Sequence, residues 1–354
     1  MFFFRSTILF LCSFLFLPQT VLATAEYVGS NKCSECHLDL YSSWIESGHH
    51  LQLRKAEQAR HSNLALPKGY SWDDISYVIG GVKVKAYFVD QNGYIITTAK
   101  DGSKDKTEYN LDDGSWSYYF PGEKKLYDCA FCHTTGYNSE GHQGGLEGII
   151  GTWYEDGIGC EVCHGPGSKH VANPAVRTMR RSRSKALCEK CHQRGGIDHR
   201  PLKDLGLIRH YEQINELKEG PHKGLTCLNC HKPHQKASLT RYNCVICHSR
   251  ANIGYEKSVH GRAGIKCIEC HMARLPKPAI ARASYVGKVR THLFKISIDA
   301  DVNMFKEIKE KGLKSTFTKG FITVEFACLS CHKNQDKTWS IKHAKEFHKR
   351  HKSN

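Results

Sequence analysis

Three features are scarce in this sequence: long hydrophobic runs, methionine, and cysteine outside one repeated pattern. After residue 25 no stretch is apolar enough for a membrane-spanning helix, so we expect no transmembrane segment there. Sixteen of the 17 cysteines fall in the repeat, and the remaining one, Cys12, lies in the N-terminal apolar segment. No other cysteine is left for a disulfide or a nucleophile. Beyond that segment only Met179, Met272 and Met304 offer a thioether ligand.

The repeated pattern is C-x-x-C-H, which occurs eight times and is called motifs 1 to 8 in chain order. Each copy places an imidazole directly after the second of two closely spaced thiols. This spacing is typical of c-type haem attachment, in which both thiols form thioethers and the histidine binds the iron. A zinc site or a disulfide framework has no reason to repeat the histidine after every cysteine pair. The motifs therefore predict eight covalently bound haem c groups.

The motifs supply two kinds of haem-binding residue. The cysteines expected to carry the haems are Cys33, Cys36, Cys129, Cys132, Cys160, Cys163, Cys188, Cys191, Cys227, Cys230, Cys244, Cys247, Cys267, Cys270, Cys328 and Cys331. The expected proximal ligands of the haem irons are His37, His133, His164, His192, His231, His248, His271 and His332.

Residues 1–25 have the pattern of a secretory signal peptide. Arg5 gives a positively charged start, residues 8–17 form a short apolar core, and Ala23-Thr24-Ala25 is a small-x-small cleavage site. The core is too short to span a bilayer. We therefore expect an exported protein, located in the periplasm or at the cell surface.

The formal net charge of +16 would also suit a protein that binds nucleic acid. Each haem brings two propionates, however, and lysine and arginine are the side chains that pair with such groups. The basic runs at residues 180–183 and 348–352 are expected to be solvated, to contact propionates or to serve in docking. The sequence therefore predicts no nucleic-acid partner.

Eight macrocycles in a chain of 354 residues would replace much of an ordinary side-chain core. The predicted fold is therefore a haem-packed multihaem cytochrome c, mainly α, with sparse secondary structure. Near residues 70–120, alternating apolar and polar residues that break at Asn92-Gly93 predict a small antiparallel β insertion. A helix is predicted over residues 202–218.

Motif spacing divides the chain into four parts. Residues 1–25 form the signal peptide, and residues 26–185 form an N-terminal multihaem region with the β insertion. Residues 186–285 are dense in haem motifs, and residues 286–354 carry a single one. Motifs 5, 6 and 7 start only 17 and 23 residues apart, so we expect their haems to lie in contact.

The chain has 22 histidines and few methionines, so the sequence predicts bis-histidine ligation and low reduction potentials. Each histidine outside the motifs has a surface or propionate-bonding role as its alternative. The expected distal ligands are His49 or His50, His142, His170, His222, His234, His260, His292 and His348. The less favoured histidines are His61, His199, His210, His343 and His351.

Three segments resemble the cytochrome c-554 family of multihaem cytochromes: YVGSNKCSECHLDLYSSWIESGHH, CAFCHTTGY and GIGCEVCHGPGSKH. The resemblance covers residues 27–170 and implies haems stacked in parallel and perpendicular, an electron-transfer role, and His170 as a distal ligand. The segment PHKGLTCLNCHKPH resembles decahaem cytochromes that carry electrons toward the outer membrane, which implies His222 and His234 as axial ligands.

The number of motifs departs from the four haems of the cytochrome c-554 family. Octahaem hydroxylamine oxidoreductases and nitrite or tetrathionate reductases share the number eight. The reductases with a lysine-ligated active haem carry C-x-x-C-K, whereas every motif of this chain ends in histidine.

Three functions are compatible with these residues. The favoured one is conduction of electrons along bis-histidine haems, in respiratory or extracellular electron transfer, without catalysis. The second is a multihaem oxidoreductase that acts on small nitrogen or sulfur compounds such as nitrite, hydroxylamine or tetrathionate. The third is a filament or other homo-oligomer in which a C-terminal histidine binds a haem of the next copy. Expected partners are other cytochromes or a quinol-oxidising complex.

Overall fold

The computed structural model describes residues 24–193, 213–235, 241–275, 285, 287, 289–310 and 313–350. Residues 1–23 of the predicted signal peptide lie outside these ranges, as do His199, His210 and His351. The helix predicted over residues 202–218 is described only over Gln213–Glu219, where it is helical. In the described ranges, no helix has the length and hydrophobicity needed to cross a membrane.

Short helices carry or flank the motifs. In five motifs the histidine N–H donates to the carbonyl of the first cysteine at 2.8–3.0 Å, which closes one α-turn. Residues three and four positions apart share one face of such a turn, so both thiols and the imidazole point the same way. The helices are α1 (Ser30–Ser34), α2 (Leu38–Ile45), α3 (Ala56–Ala59), α4 (Ala130–His133), α5 (Cys160–His164), α6 (Ser168–Ala172), α7 (Ala186–Glu189), α8 (Gln213–Glu219), α9 (Arg241–Cys247), α10 (Ser249–Glu256), α11 (Val259–Arg262), α12 (Cys267–His271), α13 (Val324–Cys328) and α14 (Lys337–Arg350).

A seven-stranded antiparallel sheet lies between motifs 1 and 2. Its strands follow the order β1-β2-β3-β4-β7, and β5 pairs with both β3 and β6. The predicted break at Asn92-Gly93 is the turn between β3 and β4, where Gly93 has a φ of 89°. The strands are β1 (Leu53–Lys55), β2 (Ile75–Gly80), β3 (Lys85–Asp90), β4 (Tyr94–Ile95), β5 (Glu108–Asn110), β6 (Trp116–Ser117) and β7 (Lys125–Leu126).

Both faces of this sheet are covered, because residues along β2 alternate between two apolar clusters. Tyr77 and Ile79 join the cluster that contains Tyr127 and Ala130, whereas Val78 joins the cluster on the opposite face. Ala130 belongs to motif 2, and Cys129 packs against the first cluster. The sheet therefore serves as the platform that holds motif 2.

Four small two-stranded sheets complete the described structure. A C-terminal apolar cluster that includes Ala273, Leu293 and Ile322 packs beside motifs 7 and 8. The prediction of a mainly α fold is thus correct only in part, because sheets occur on both sides of the haem-dense region. The pairs are β8 (Thr134–Thr135) with β9 (Glu155–Asp156), β10 (Arg274–Leu275) with β11 (Val289–Arg290), β12 (Ile296–Ser297) with β15 (Ile322–Thr323), and β13 (Phe305–Glu310) with β14 (Leu313–Thr318).

Candidate haem-binding sites

Six of the eight motif histidines face a second histidine ring from outside the motifs. The ring centroids of these pairs are 5.9–6.3 Å apart. The place built on each motif is called site 1 to site 8. The pairs are His37 with His170 at site 1, His164 with His234 at site 3, His192 with His49 at site 4, His231 with His292 at site 5, His248 with His222 at site 6, and His332 with His260 at site 8.

These separations fit an iron held between two imidazoles. A metal–nitrogen bond is about 2 Å long and the ring centroid lies roughly 1 Å behind the nitrogen, so two ligated rings have centroids about 6 Å apart. Rings in direct stacking contact lie closer, as Trp339 and His343 do at 4.2 Å. The six histidine pairs therefore leave the room that one iron requires.

The paired rings fall into two classes by the angle between their planes. At sites 1, 3 and 5 the planes are close to parallel, with angles of 11°, 18° and 30°. At sites 4, 6 and 8 they are close to perpendicular, with angles of 76°, 84° and 76°. With an iron bound between the rings, this angle would govern the splitting of its d orbitals, so the two classes would be spectroscopically distinct.

Four motif histidines are oriented through Nδ1. His133 contacts the Gln52 carbonyl at 3.2 Å, and His164 contacts the Arg180 carbonyl at 2.7 Å. His271 and His192 make the same kind of contact with the carbonyl of Phe294 and with Oε1 of Gln213. An oxygen acceptor requires the proton on Nδ1, which leaves the Nε2 lone pair for a metal.

Burial keeps two of the non-motif partners neutral. It lowers the pKa of His49 to about 4 and the pKa of His292 to about 3. Neutral imidazole is the form that binds a metal, so both rings are ready to act as ligands at neutral pH.

The other predicted distal histidines are not brought opposite a motif histidine by any described contact. His50 packs against Trp44 with centroids 5.1 Å apart, and its buried Nδ1 has no hydrogen-bond partner. His142 is exposed, and its Nδ1 contacts the Ile149 carbonyl at 2.6 Å. His348 lies on α14, and its side chain is outside the described part of the structure.

Site 2 differs from the six paired sites. Among the residues that the structure describes, no imidazole ring lies across from His133. Burial lowers the pKa of His133. Among the described residues, His133 is therefore the one imidazole that would bind an iron at site 2.

Apolar side chains near the motifs are strongly exposed. Ile246 is 76 % exposed, Val259 is 72 % exposed, and Leu38 beside motif 1 is 64 % exposed. A macrocycle seated at the motifs would bury such side chains at a gain of about 25 cal/mol per Å². The sixteen motif cysteines form no disulfide, so their thiols are available for attachment.

A buried carboxylate joins sites 1 and 3. Glu161, inside motif 3, is 2 % exposed and accepts hydrogen bonds from the backbone N–H groups of Val28, Gly29 and Gly167 at 2.7–3.0 Å. In addition, the Cys160 N–H donates to the hydroxyl of Ser30 at 3.0 Å. Glu161 occupies a variable position of the motif, so nothing in the sequence pattern marks it.

Thiols of different motifs also lie close enough to interact. Thiol–thiol contacts join sites 1 and 3, sites 2 and 4, and sites 4 and 5, and Cys132 contacts the Lys190 carbonyl of motif 4 at 4.0 Å. The thiols in contact are Cys33 with Cys160, Cys132 with Cys191, and Cys188 with Cys227. Weaker electrostatic interactions join Cys163 with Cys188, Cys230 with Cys247, Cys244 with Cys267, and Cys270 with Cys328.

Replacing Glu161 by leucine is expected to lower the free energy of unfolding by about 3 kcal/mol, because three buried donors lose their acceptor. Glu161→Gln keeps an acceptor oxygen, so its free energy of unfolding is expected to fall by less. Denaturant unfolding of the two variants measures the difference, and equal stability would contradict the role assigned to the carboxylate.

Comparison with known proteins gives a match to one family model and a similarity in fold to multihaem cytochromes. The sequence model for "Cytochrome c554 and c-prime" matches residues 97–165. No curated protein sequence matches the chain. Three solved structures are similar, all below 20 % sequence identity, so the likeness concerns the fold.

The first similar structure is the outer cell wall cytochrome OcwA, with a TM-score of 0.58 and 19 % identity over 90 % of this chain and 86 % of that one. The second is the octaheme sulfite reductase MccA of Wolinella succinogenes, with a TM-score of 0.59 and 17 % identity over 86 % and 65 %.

The third is an undecaheme cytochrome from the S-layer of Carboxydothermus ferrireducens, with a TM-score of 0.54 and 18 % identity. The match covers 93 % of this chain and 61 % of that one, so this chain spans less than two thirds of both MccA and the undecaheme protein. Residues 97–165 therefore match the family model for cytochrome c554 and c-prime, within a chain whose fold is similar to that of multihaem cytochromes.

Proposed function

We propose that this chain is an exported octahaem c-type cytochrome that conducts electrons between redox partners. The observation that carries the proposal is the set of six histidine pairs whose ring separation fits one iron each. When bound, haem c supplies one-electron iron chemistry. The polypeptide attaches each macrocycle through two thiols, orients the ligands and excludes water.

The assigned ligands at six sites are the paired histidines, and the remaining sites 2 and 7 have His133 and His271 as proximal ligands. Bis-histidine ligation gives lower reduction potentials than methionine–histidine ligation. Six predicted distal histidines are assigned in this way: His49, His170, His222, His234, His260 and His292. His50, His142 and His348 receive no assignment.

The contacts between motifs support one spatial order of the sites. They connect site 1 to site 3, site 3 to site 4, and then sites 5, 6, 7 and 8 in succession. Site 2 touches only site 4 through the contacts described, so it forms a side branch. Electrons would travel between site 1 and site 8 along this series.

The two histidines assigned to one site often come from distant segments of the chain. His49 follows motif 1 but faces motif 4, and His234 follows motif 5 but faces motif 3. Each iron would thus hold two distant segments together, which couples metal binding to folding. This arrangement explains how a chain with little side-chain core around motifs 4 to 6 reaches one folded state.

We further propose location at the cell surface and a role in extracellular electron transfer. The fold is shared with one cytochrome described from an outer cell wall and another described from an S-layer. Other cytochromes are the partners that such a role requires. The conductor needs no catalytic residue.

Intact mass should exceed the peptide mass by eight haems, and electron paramagnetic resonance of the oxidised protein should show two classes of low-spin iron. The near-parallel rings of sites 1, 3 and 5 are expected to give rhombic signals. The near-perpendicular rings of sites 4, 6 and 8 are expected to give strongly anisotropic signals with a larger g maximum. A spectrum with one class only would contradict the proposed ligand pairs.

Site 2 supports a second candidate function, the reduction or oxidation of a small nitrogen or sulfur compound. The specific observation is that His133 has no imidazole opposite it in the described structure. A substrate can bind iron only where a coordination position is open. The similar structure of MccA is described as a sulfite reductase, which makes sulfite one compound to test.

A further inference from the structure

Helix α8 contacts motif 4 at three points. Gln213 places Oε1 3.4 Å from Nδ1 of His192, and the Ile214 N–H donates to the His192 carbonyl at 3.1 Å. Lys218 forms an ion pair with Glu189, inside motif 4, at 3.2 Å. The helix therefore orients the proximal histidine of site 4.

The same helix reaches site 5 through Glu216. This carboxylate is only 3 % exposed and accepts a hydrogen bond from the backbone N–H of His292. Its Oε2 lies 3.8 Å from Nδ1 of His292, too far for a hydrogen bond but close for an electrostatic interaction. Gly220 lies directly after α8 and close to the segment that carries His292. A Cβ at this position would lie 2.8 Å from the Leu293 carbonyl, so glycine permits the close packing.

The position of this charge matters because the two groups are largely shielded from solvent, with side-chain exposures of 3 % for Glu216 and 18 % for His292. An electrostatic interaction strengthens as the effective dielectric constant falls. The oxidised state of a bis-imidazole site carries one more positive charge than the reduced state. A fixed negative charge beside the ligand therefore stabilises the oxidised state and lowers the reduction potential.

We propose that Glu216 is a positioning residue of site 5, which holds the His292 imidazole in place through the backbone and lowers the reduction potential there through its charge. The inference rests on the proposed function, because it requires His231 and His292 to be the ligands of one iron. Helix α8 also orients His192 of site 4. One helix therefore positions a ligand at site 4 and a ligand at site 5, where the first four motifs meet the last four.

Glu216→Gln separates the charge from the hydrogen bond, because glutamine keeps an acceptor for the His292 N–H. The one-electron reduction equilibrium constant at site 5 is expected to rise about tenfold, which equals about 59 mV. Potentiometry followed by electron paramagnetic resonance assigns the shift to the rhombic class, to which the 30° ring angle of site 5 belongs. Glu216→Asp, which keeps the charge, should recover the lower potential.

The matched control is Glu57→Gln on α3, an exposed carboxylate whose neutralisation should move no potential. Glu216→Leu removes both interactions and is expected to convert one rhombic low-spin signal into a high-spin signal. If Glu216→Gln lowers stability and leaves every potential unchanged, the residue is merely structural and the inference fails. If the unaltered protein lacks the rhombic low-spin class, the proposed ligand pairs fail instead.

Discussion

Replacing His234 by methionine is expected to raise the reduction potential at site 3 by on the order of 0.1–0.3 V, within the ~0.8 V span that axial ligands cover. His234 faces His164 with the ring planes 18° apart, so the substitution exchanges an imidazole for a thioether at a defined position. Thioether sulfur favours the reduced iron, and imidazole favours the oxidised iron. Spectropotentiometry should show one component shifted upward and one rhombic signal lost.

The same substitution should slow electron transfer between site 1 and the rest of the protein. In the proposed order, site 3 is the connection of site 1 to site 4, since Glu161 and Ser30 join motifs 1 and 3. A site with a much higher potential retains its electron and delays the next transfer. Reduction followed by stopped-flow absorbance should therefore resolve a slow phase that the unaltered protein lacks.

His142→Met is the matched control, because His142 is also a non-motif histidine favoured by the sequence. It is exposed and hydrogen-bonded to the Ile149 carbonyl. Its replacement is expected to leave every potential and every rate unchanged. Equal shifts of the reduction potential in the two variants would show that the separation of the histidine rings does not identify the ligand pairs.

The local geometry of the motifs could be predicted from the sequence because it depends only on neighbouring residues. Two thiols and an imidazole at fixed spacing need one helical turn, and the structure forms that turn at the motifs. The non-motif histidine that faces each motif histidine could not be predicted in the same way. His49 lies just after motif 1 and faces His192, a relation set by the path of the whole chain.

The β insertion was predictable for a similar reason. The alternation along Ile75–Gly80 and Lys85–Asp90 and the glycine turn at Gly93 are local signals, and the structure forms a hairpin there. The sheet also recruits Leu53–Lys55, a strand of three residues that is too short to show a period. Residues such as Gln213 and Glu216 acquire their roles only through distant packing partners, so the sequence predicts neither.

Cyanide is expected to convert a high-spin signal of the oxidised protein to low-spin, because no imidazole lies opposite His133 among the residues that the structure describes. The His133 Nδ1 contact with the Gln52 carbonyl fixes the proximal ring and leaves its Nε2 for the iron. At the six paired sites a second histidine would bind the iron, so cyanide would have to displace a ligand there. Titration followed by electron paramagnetic resonance measures the conversion.

Two variants that each lose one haem locate the signal. Changing Cys129 and Cys132 to alanine removes the attachment at site 2 and is expected to abolish the cyanide-sensitive signal. Changing Cys328 and Cys331 to alanine removes the attachment at site 8, where His260 faces His332, and should preserve that signal. Intact mass confirms that each variant lacks one haem, which makes the two directly comparable.

The same titration distinguishes the two candidate functions. If nitrite, hydroxylamine or sulfite competes with cyanide and is turned over with an artificial electron donor or acceptor, site 2 is a catalytic branch of the conductor. Its haem would then exchange electrons with the haem of site 4, because Cys132 of motif 2 lies next to motif 4. A protein that is low-spin throughout and indifferent to cyanide would instead be a conductor at all its sites, with a ligand at site 2 contributed from outside the described residues.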